Sequence, residues 1–243
     1  DLLDGSPPCS SFSMAGSREK GWGKEKVFRE GQAHQRLDDL VFTYVDTIAK
    51  LRPKVAILEN VKGLLAGNAK VYAKEIVKRL RGHGYTVQVF LLNAATMGVP
   101  QMRERCFFIA RQDASWPNLV LKFEEPPIPF GRLDYCNLRS DLTDHAKAGW
   151  FSAGQGKPIG TFQSDIRLCD NKTPNTVRSG GNVYHSQQPR HLSKLELCQI
   201  GSYPLDYNFI SMEAKYLIGM SVPPVMTAQI AHQINVQWFS LSK

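Results

Sequence analysis

The sequence contains no apolar run long enough to cross a membrane, although hydrophobic residues make up 42% of its 243 residues. Its acidic, proline-containing start also differs from a secretory signal peptide. Cysteine is scarce, since its five copies are scattered singly without a CxxC pair. Neither a disulfide framework nor a zinc or other metal site is therefore predicted, and free thiols indicate a reducing compartment inside the cell. Internal repeats and low-complexity tracts are lacking too.

Basic residues are in excess, because 30 Lys and Arg stand against 22 Asp and Glu and give a net charge of +8. This excess favours a polyanionic partner such as nucleic acid, and ordinary solubility charge is the alternative explanation. The basic residues are spread along the chain, which fits a folded groove better than a disordered arm.

Hydrophobic periodicity predicts an α/β domain in residues 1–111. Amphipathic patterns predict helices at 37–51 and 69–81. Short apolar runs predict strands, the first of them covered on both faces; these are residues 55–58, 85–92 and 106–110. The alternation of helices and strands indicates a parallel sheet with crossover helices.

The character of the chain changes after residue 111. Six prolines lie between residues 117 and 174, so residues 112–189 are predicted to form a smaller irregular lobe, mainly of strands and loops. Residues 190–243 regain helical periodicity and are predicted to return to the first domain.

Three places carry side chains that indicate chemistry. Cys9 follows Pro7 and Pro8 on a stiff polar loop, which suits a nucleophile, and a buried loop thiol is the alternative. Glu59 follows a buried strand, where ligands of parallel sheets bind, and it can donate a proton there or simply cap a helix or loop.

Arg103 and Arg105 form the third place. If a strand begins at Arg105, both guanidiniums share a face and can clamp a phosphate and polarise a carbonyl oxygen. A surface charge cluster with Glu104 is the alternative.

The order of these motifs resembles that of the DNA (cytosine-5)-methyltransferases. The resemblance is carried by five motifs: Pro8-Cys9, Glu59-Asn60-Val61, Gln101-x-Arg103-x-Arg105, Arg190-x-Leu192-Ser193-x-x-Glu196 and Ile218-Gly219-Met220-Ser221-Val222-Pro223-Pro224. It implies a Rossmann-like S-adenosylmethionine-dependent sheet with a target-recognition lobe at 112–189. It also implies a cytoplasmic enzyme, bacterial or phage-encoded, of the restriction–modification type.

The resemblance implies methyl transfer from S-adenosylmethionine to carbon 5 of a cytosine flipped out of double-stranded DNA. Cys9 would add to carbon 6, Glu59 would hold or protonate ring nitrogen 3, and Arg105 would hydrogen-bond the ring carbonyl. Arg103 would support the loop or a phosphate. The implied cofactor contacts are Pro8, Leu40, Met220 and Val222, and the implied nucleic-acid contacts are Arg18, Lys20, Gln101 and Arg178.

The sequence departs from the family at two points. The Gly-rich turn and the acidic residues that hold the cofactor precede the Pro-Cys loop in the family and are not in this sequence. We therefore expect a fragment, a truncated gene product or a split enzyme whose second polypeptide supplies the missing strands. The usual Asn between Gly219 and Ser221 is replaced by Met220.

Three other functions stay open at this point. The same chemistry on tRNA is one, since a relative of the family methylates tRNA. An inactive DNA-binding protein is another, favoured by the missing cofactor motif and disfavoured by Cys9, Glu59 and Arg105. A metabolic α/β enzyme with a thiol nucleophile would require the order of the five motifs to be accidental.

Overall fold

The computed structural model of the chain describes residues 1–8, 25–26, 35–36, 39–135, 137–160 and 165–240. The described residues form two compact units. Unit 1 comprises those within Asp1–Leu92, Glu104–Leu121 and Val236–Lys243, and unit 2 those within Asn93–Arg103 and Lys122–Asn235. The sequence predicts a catalytic region, a target-recognition lobe and a C-terminal segment that returns to the first domain. That division is by function, and it stays a prediction. Among the described residues, no helix has the length and apolar character needed to cross a bilayer.

Unit 1 is built on one four-stranded sheet and two helices. Its elements are β1 (Leu2–Gly5), β2 (Glu25–Lys26), β3 (Gln35–Arg36), α1 (Leu40–Leu51), β4 (Val55–Val61), α2 (Lys70–Gly82), β5 (Thr86–Asn93) and β6 (Glu104–Arg111). The sheet has the order β1-β4-β6-β5, while β2 and β3 form a separate antiparallel pair. The helices and strands predicted for this region are confirmed with shifted ends, and β1 is an addition to them.

The sheet is mixed, so the prediction of a parallel sheet is wrong for β6. Strands β1 and β4 run parallel, with Gly5 opposite Leu58, whereas β6 runs antiparallel to β4, with Arg105 opposite Val61. Strands β4 and β5 are joined through α2, but only residues 94–103 join β5 to β6. Because a parallel connection needs a crossover of a dozen or more residues, this short link reverses the chain.

The core of unit 1 lies where α1 and α2 cover the sheet. Val45 and Ile48 of α1 and Ile76 of α2 pack in one cluster with Leu58 of β4 and Phe108 of β6, all of them buried. The helical and strand periodicities of the sequence meet in this cluster, since each element presents its apolar residues to the others.

Unit 2 contains less regular structure. Its elements are α3 (Asp144–Ser152), β7 (Ile166–Arg167), β8 (Val183–Tyr184), α4 (Lys194–Gly201), α5 (Ala214–Met220) and α6 (Pro224–Ile234). The irregular character predicted for residues 112–189 is found, but their described part holds less strand than predicted. Side chains replace the strand ladder there: Arg167 donates to the carbonyls of Ser186 at 2.7 Å and of Ala153 at 2.8 Å.

Candidate active site

The carboxyl ends of β1 and β4 lie side by side, because the two strands are parallel and Gly5 pairs with Leu58. From this edge the chain continues as Ser6-Pro7-Pro8 after β1, while Glu59 and Asn60 continue β4. The edge beyond the carboxyl ends of parallel strands is where ligands bind in open α/β sheets. Two of the sequence motifs are therefore brought to one edge by strand pairing alone.

Glu59 and Arg105 form an ion pair at this edge. The Nε of Arg105 lies 3.0 Å from Oε1 of Glu59, and the two side chains are 12% and 10% exposed. Arg105 is opposite Val61 in the β4–β6 register, so it is a diagonal neighbour of Glu59 on the sheet. The structure thus brings together two of the four residues to which the sequence assigned the chemistry, and their catalytic roles stay a prediction.

Asn60 links the two strand ends, and the sequence assigned it no role of its own. Its side chain is fully buried, and its Nδ2 donates to the carbonyl of Pro7 at 3.2 Å. Its Oδ1 accepts from the backbone N–H of Val61 at 2.9 Å. An amide directly after the acid of a buried, mainly apolar strand is the signal that marks it in the sequence.

Three of the predicted site residues, Cys9, Arg18 and Lys20, lie outside the described residues. Another thiol is close to the site, because Sγ of Cys106 donates to the carbonyl of Val61 at 3.3 Å. Burial, followed by the charge of Glu59, raises the pKa of Cys106 to about 12. That thiol stays protonated at neutral pH and is not a nucleophile.

Arg103 is buried within unit 2 and is occupied by carbonyl oxygens. Its Nη1 donates to Val177 at 2.9 Å, and its Nη2 donates to Gly219 at 2.9 Å and to Ser221 at 2.7 Å. These contacts hold the Ile218–Pro224 motif against the segment around Val177. A direct catalytic role for Arg103 stays a prediction, and its contacts favour the supporting role that the sequence left open.

The predicted nucleic-acid contacts differ in exposure. Gln101 is fully buried and donates to the carbonyl of Ile200 at 3.1 Å, so its side chain is occupied by the protein itself. Arg178 is exposed and lines a groove of about 520 Å³ in unit 2 together with Lys172 and Thr176. The groove presents two cations and the hydroxyl groups of Thr173 and Thr176 together.

The residues predicted to contact the cofactor are all apolar. Pro8 and Leu40 are half-buried in unit 1, and in unit 2 Val222 is half-buried while Met220 is 45% exposed. Such side chains can contact the adenine and methylene groups of S-adenosylmethionine, but they provide no partner for its charged or hydroxyl groups. The four residues therefore fit only the apolar part of the cofactor.

The sequence matches a family model and several known proteins. The family model of the C-5 cytosine-specific DNA methylases matches residues 1–133. The type II methyltransferase M.AplI of Arthrospira platensis is 28% identical over 97% of this chain and 68% of that protein. The type II methyltransferase M.FnuDI of Fusobacterium nucleatum is 34% identical over 97% of this chain and 76% of that protein.

A solved structure shares the fold. A crystal structure described as a DNA modification methyltransferase encoded within an Escherichia coli prophage superposes with a TM-score of 0.74 at 14% identity, covering 98% of this chain and 79% of the other. The architecture is that of a Rossmann-like methyltransferase, as predicted.

The sequence matches identify the family within the class of Rossmann-like methyltransferases. Because the family model spans more than half of the chain and M.FnuDI is matched along most of its length, the chain belongs to the C-5 cytosine-specific DNA methylase family. The predicted class of enzyme, a methyltransferase, is thereby confirmed, and the family as a whole uses S-adenosylmethionine.

Proposed function

We propose that this chain methylates carbon 5 of a cytosine flipped out of double-stranded DNA, through a covalent adduct with Cys9. The observation that carries the proposal is the Glu59–Arg105 ion pair, which lies at the sheet edge where Asn60 holds the Pro7 carbonyl, two residues before Cys9. A flipped base is needed because carbon 6 is not accessible to a thiolate inside a stacked duplex.

The first step is addition of the Cys9 thiolate to carbon 6 of the cytosine ring. A bond forms between sulfur and carbon 6, and the electron pair of the carbon 5–carbon 6 double bond moves to carbon 5 as Glu59 hydrogen-bonds or protonates ring nitrogen 3. A guanidinium has five N–H donors, so Arg105 can hold Glu59 and the ring carbonyl oxygen at the same time.

S-adenosylmethionine supplies the methyl group when it is bound, and Pro8, Leu40, Met220 and Val222 are the proposed contacts to its apolar part. Carbon 5 then carries both a proton and the methyl group. Loss of that proton to a base and return of any proton on ring nitrogen 3 to Glu59 restore the ring double bonds, and the carbon 6–sulfur bond breaks to return the Cys9 thiolate.

Lys172 and Arg178 are proposed to contact the DNA backbone, because both are exposed cations that line the same groove of unit 2. The net charge of +8 agrees with a polyanionic substrate. The prediction that a second polypeptide completes the enzyme has no support in the comparisons and stays a prediction.

One experiment tests the proposal. The chain is incubated with methyl-tritiated S-adenosylmethionine and duplex DNA or tRNA, and the label transferred is counted. We expect transfer to DNA, its loss in Cys9→Ser, and a decrease of about 10²- to 10⁴-fold in Glu59→Gln. Cys169→Ser is the matched control, since that thiol is outside the proposed chemistry, and it should keep the activity.

DNA that contains 5-fluorocytosine, mixed with the chain and S-adenosylmethionine, traps the covalent intermediate. After the methyl group has been added, fluorine at carbon 5 cannot leave as a proton does, so the adduct persists. The wild-type chain and Cys169→Ser should form the adduct, and Cys9→Ser should not. Label transfer that survives Cys9→Ser would refute the nucleophile. Transfer to tRNA alone would favour the RNA alternative, and DNA binding without transfer would favour an inactive binding protein.

A further inference from the structure

We propose that Asn60 is a positioning residue for the nucleophile, acting through the backbone of the Pro7-Pro8 segment. The inference rests on the proposed function, because it gives Asn60 a role only if Cys9 attacks the base. Asn60 touches neither the base nor the cofactor in this proposal. It holds the carbonyl of Pro7, two residues before the thiol in the sequence.

The contacts of Asn60 connect three parts of the site. It follows Glu59 in β4, so the acid and the amide are joined covalently, and its Nδ2 donates to Pro7 across the edge of the sheet at 3.2 Å. Its Oδ1 is held by the N–H of Val61 at 2.9 Å, which orients the amide so that Nδ2 points toward Pro7. Asn60 therefore fixes the Pro7-Pro8 segment relative to Glu59.

The prolines make this segment depend on a donor from elsewhere in the chain. Pro7 and Pro8 have no N–H, so the segment offers only carbonyl acceptors and cannot anchor itself by donating to the sheet. Pro7 is buried, so its carbonyl needs a protein partner in place of water, and Asn60 supplies one. A primary amide can donate to Pro7 and accept from Val61 at once, whereas a carboxylate can only accept.

The expected consequence is kinetic. A nucleophile that moves by about 1 Å from its attacking position can lose about 10²-fold in rate. DNA affinity depends mainly on backbone contacts elsewhere, so it should be unaffected by this movement. We therefore expect variants of Asn60 to form the covalent adduct about 10- to 100-fold more slowly, with the DNA dissociation constant within about 2-fold of wild type.

The test compares Asn60→Asp and Asn60→Ala with wild type. The rate of adduct formation on saturating 5-fluorocytosine DNA with saturating S-adenosylmethionine and the DNA dissociation constant are measured, and circular dichroism monitors the fold. Asn93→Asp is the matched control: Asn93 also lies at a strand end, but its side chain accepts from the N–H of Ala95 at 3.1 Å, which a carboxylate can do equally well. The control should form the adduct at the wild-type rate.

Slow adduct formation with unchanged DNA affinity and native circular dichroism in either Asn60 variant supports the inference. Adduct formation at the wild-type rate in both variants overturns it. Loss of the native spectrum in both variants also overturns it, because Asn60 then serves the fold rather than the nucleophile. If the wild-type chain forms no adduct, the proposed function itself is refuted. This result is distinct from failure of the inference about Asn60, because it is seen without any variant.

Discussion

At the scale of single residues, close packing at Gly5 shapes the entrance to the proposed nucleophile loop. Gly5 is the last residue of β1, and a Cβ at this position would overlap the ring carbons of Tyr44 and lie 2.9 Å from its Oη. The ring is fixed, because its hydroxyl donates to the carbonyl of Ile57 at 2.9 Å. Glycine is therefore required here to let α1 approach the strand, apart from any need for an unusual φ.

We expect Gly5→Ala to destabilise the chain by about 1–3 kcal/mol, the typical cost of an added methyl group in a tightly packed site. Methyl transfer should fall as well, because the shift occurs three residues before Pro8. Urea unfolding and label transfer measure the two effects. Gly82→Ala is the control, since a Cβ there has no heavy atom within 4 Å. Equal stability of the two variants would show that the Tyr44 ring can move to make room for the added methyl group.

At the scale of elements, helix α4 shows what a sequence motif does physically. Ser193 and Glu196 form a capping box, in which Oγ of Ser193 accepts from the N–H of Glu196 at 3.2 Å and Glu196 accepts from the N–H of Ser193 at 2.7 Å. Arg190 donates to both Glu196 oxygens, at 2.9 and 2.7 Å. Burial alone would raise the pKa of Glu196, but the hydrogen bonds from Arg190 and Ser193 outweigh it and lower that pKa.

We expect Glu196→Gln to lose about 3–5 kcal/mol, because it leaves the buried Arg190 cation without a counter-charge. Thermal or urea unfolding measures the loss. Glu213→Gln provides the comparison: its carboxylate lies 3.7 Å from Lys215 with 59% of its side chain exposed, so the change should cost less than about 1 kcal/mol. Similar losses in the two variants would mean that the Arg190–Glu196 pair adds nothing beyond a surface contact.

At the scale of the whole molecule, local patterns were predictable and distant pairings were not. The apolar run at 55–58 and the helical spacing at 37–51 determine their own elements, because periodicity is a local property. The reversal of β6 depends on the length of one link, and the Asn60–Pro7 hydrogen bond joins residues that only the β1–β4 register brings together. Arg103 was misleading in another way, since a charged residue indicates an exposed surface and its carbonyl partners are distant in sequence.

Two buried titratable groups, His185 and Cys106, limit the pH range over which the folded chain is most stable. Burial, with the charge of Arg190, lowers the pKa of His185 from 6.5, against the opposing charges of Glu196 and Asp170. Stability from keeping His185 neutral is therefore complete above pH 6.5 and is lost as pH falls. The pKa of Cys106 is raised from 9.0 to about 12, so its contribution is complete below pH 9.0 and is lost as pH rises.

The loss of stability on acidification can be assigned to His185, because the hydrogen bonds around its ring define its neutral form. Its Nδ1 accepts from the N–H groups of Gln187 at 3.0 Å and Gln188 at 3.1 Å, so the ring proton is on Nε2, 3.6 Å from Oε1 of Glu196. Protonation would put a charge on Nδ1 and oppose both N–H groups.

We therefore expect the free energy of unfolding, measured with urea between about pH 5 and pH 8, to fall as the solution is acidified below His185's unfolded pKa. One proton limits the slope to about 1.4 kcal/mol per pH unit. His185→Gln should reduce this slope whatever its effect on absolute stability, because it removes the titrating group, whereas the exposed His232 should leave the slope unchanged when replaced by Gln. An unchanged slope in His185→Gln would assign the loss of stability on acidification to the carboxylates. Their buried hydrogen bonds, as at Glu196, are lost at lower pH.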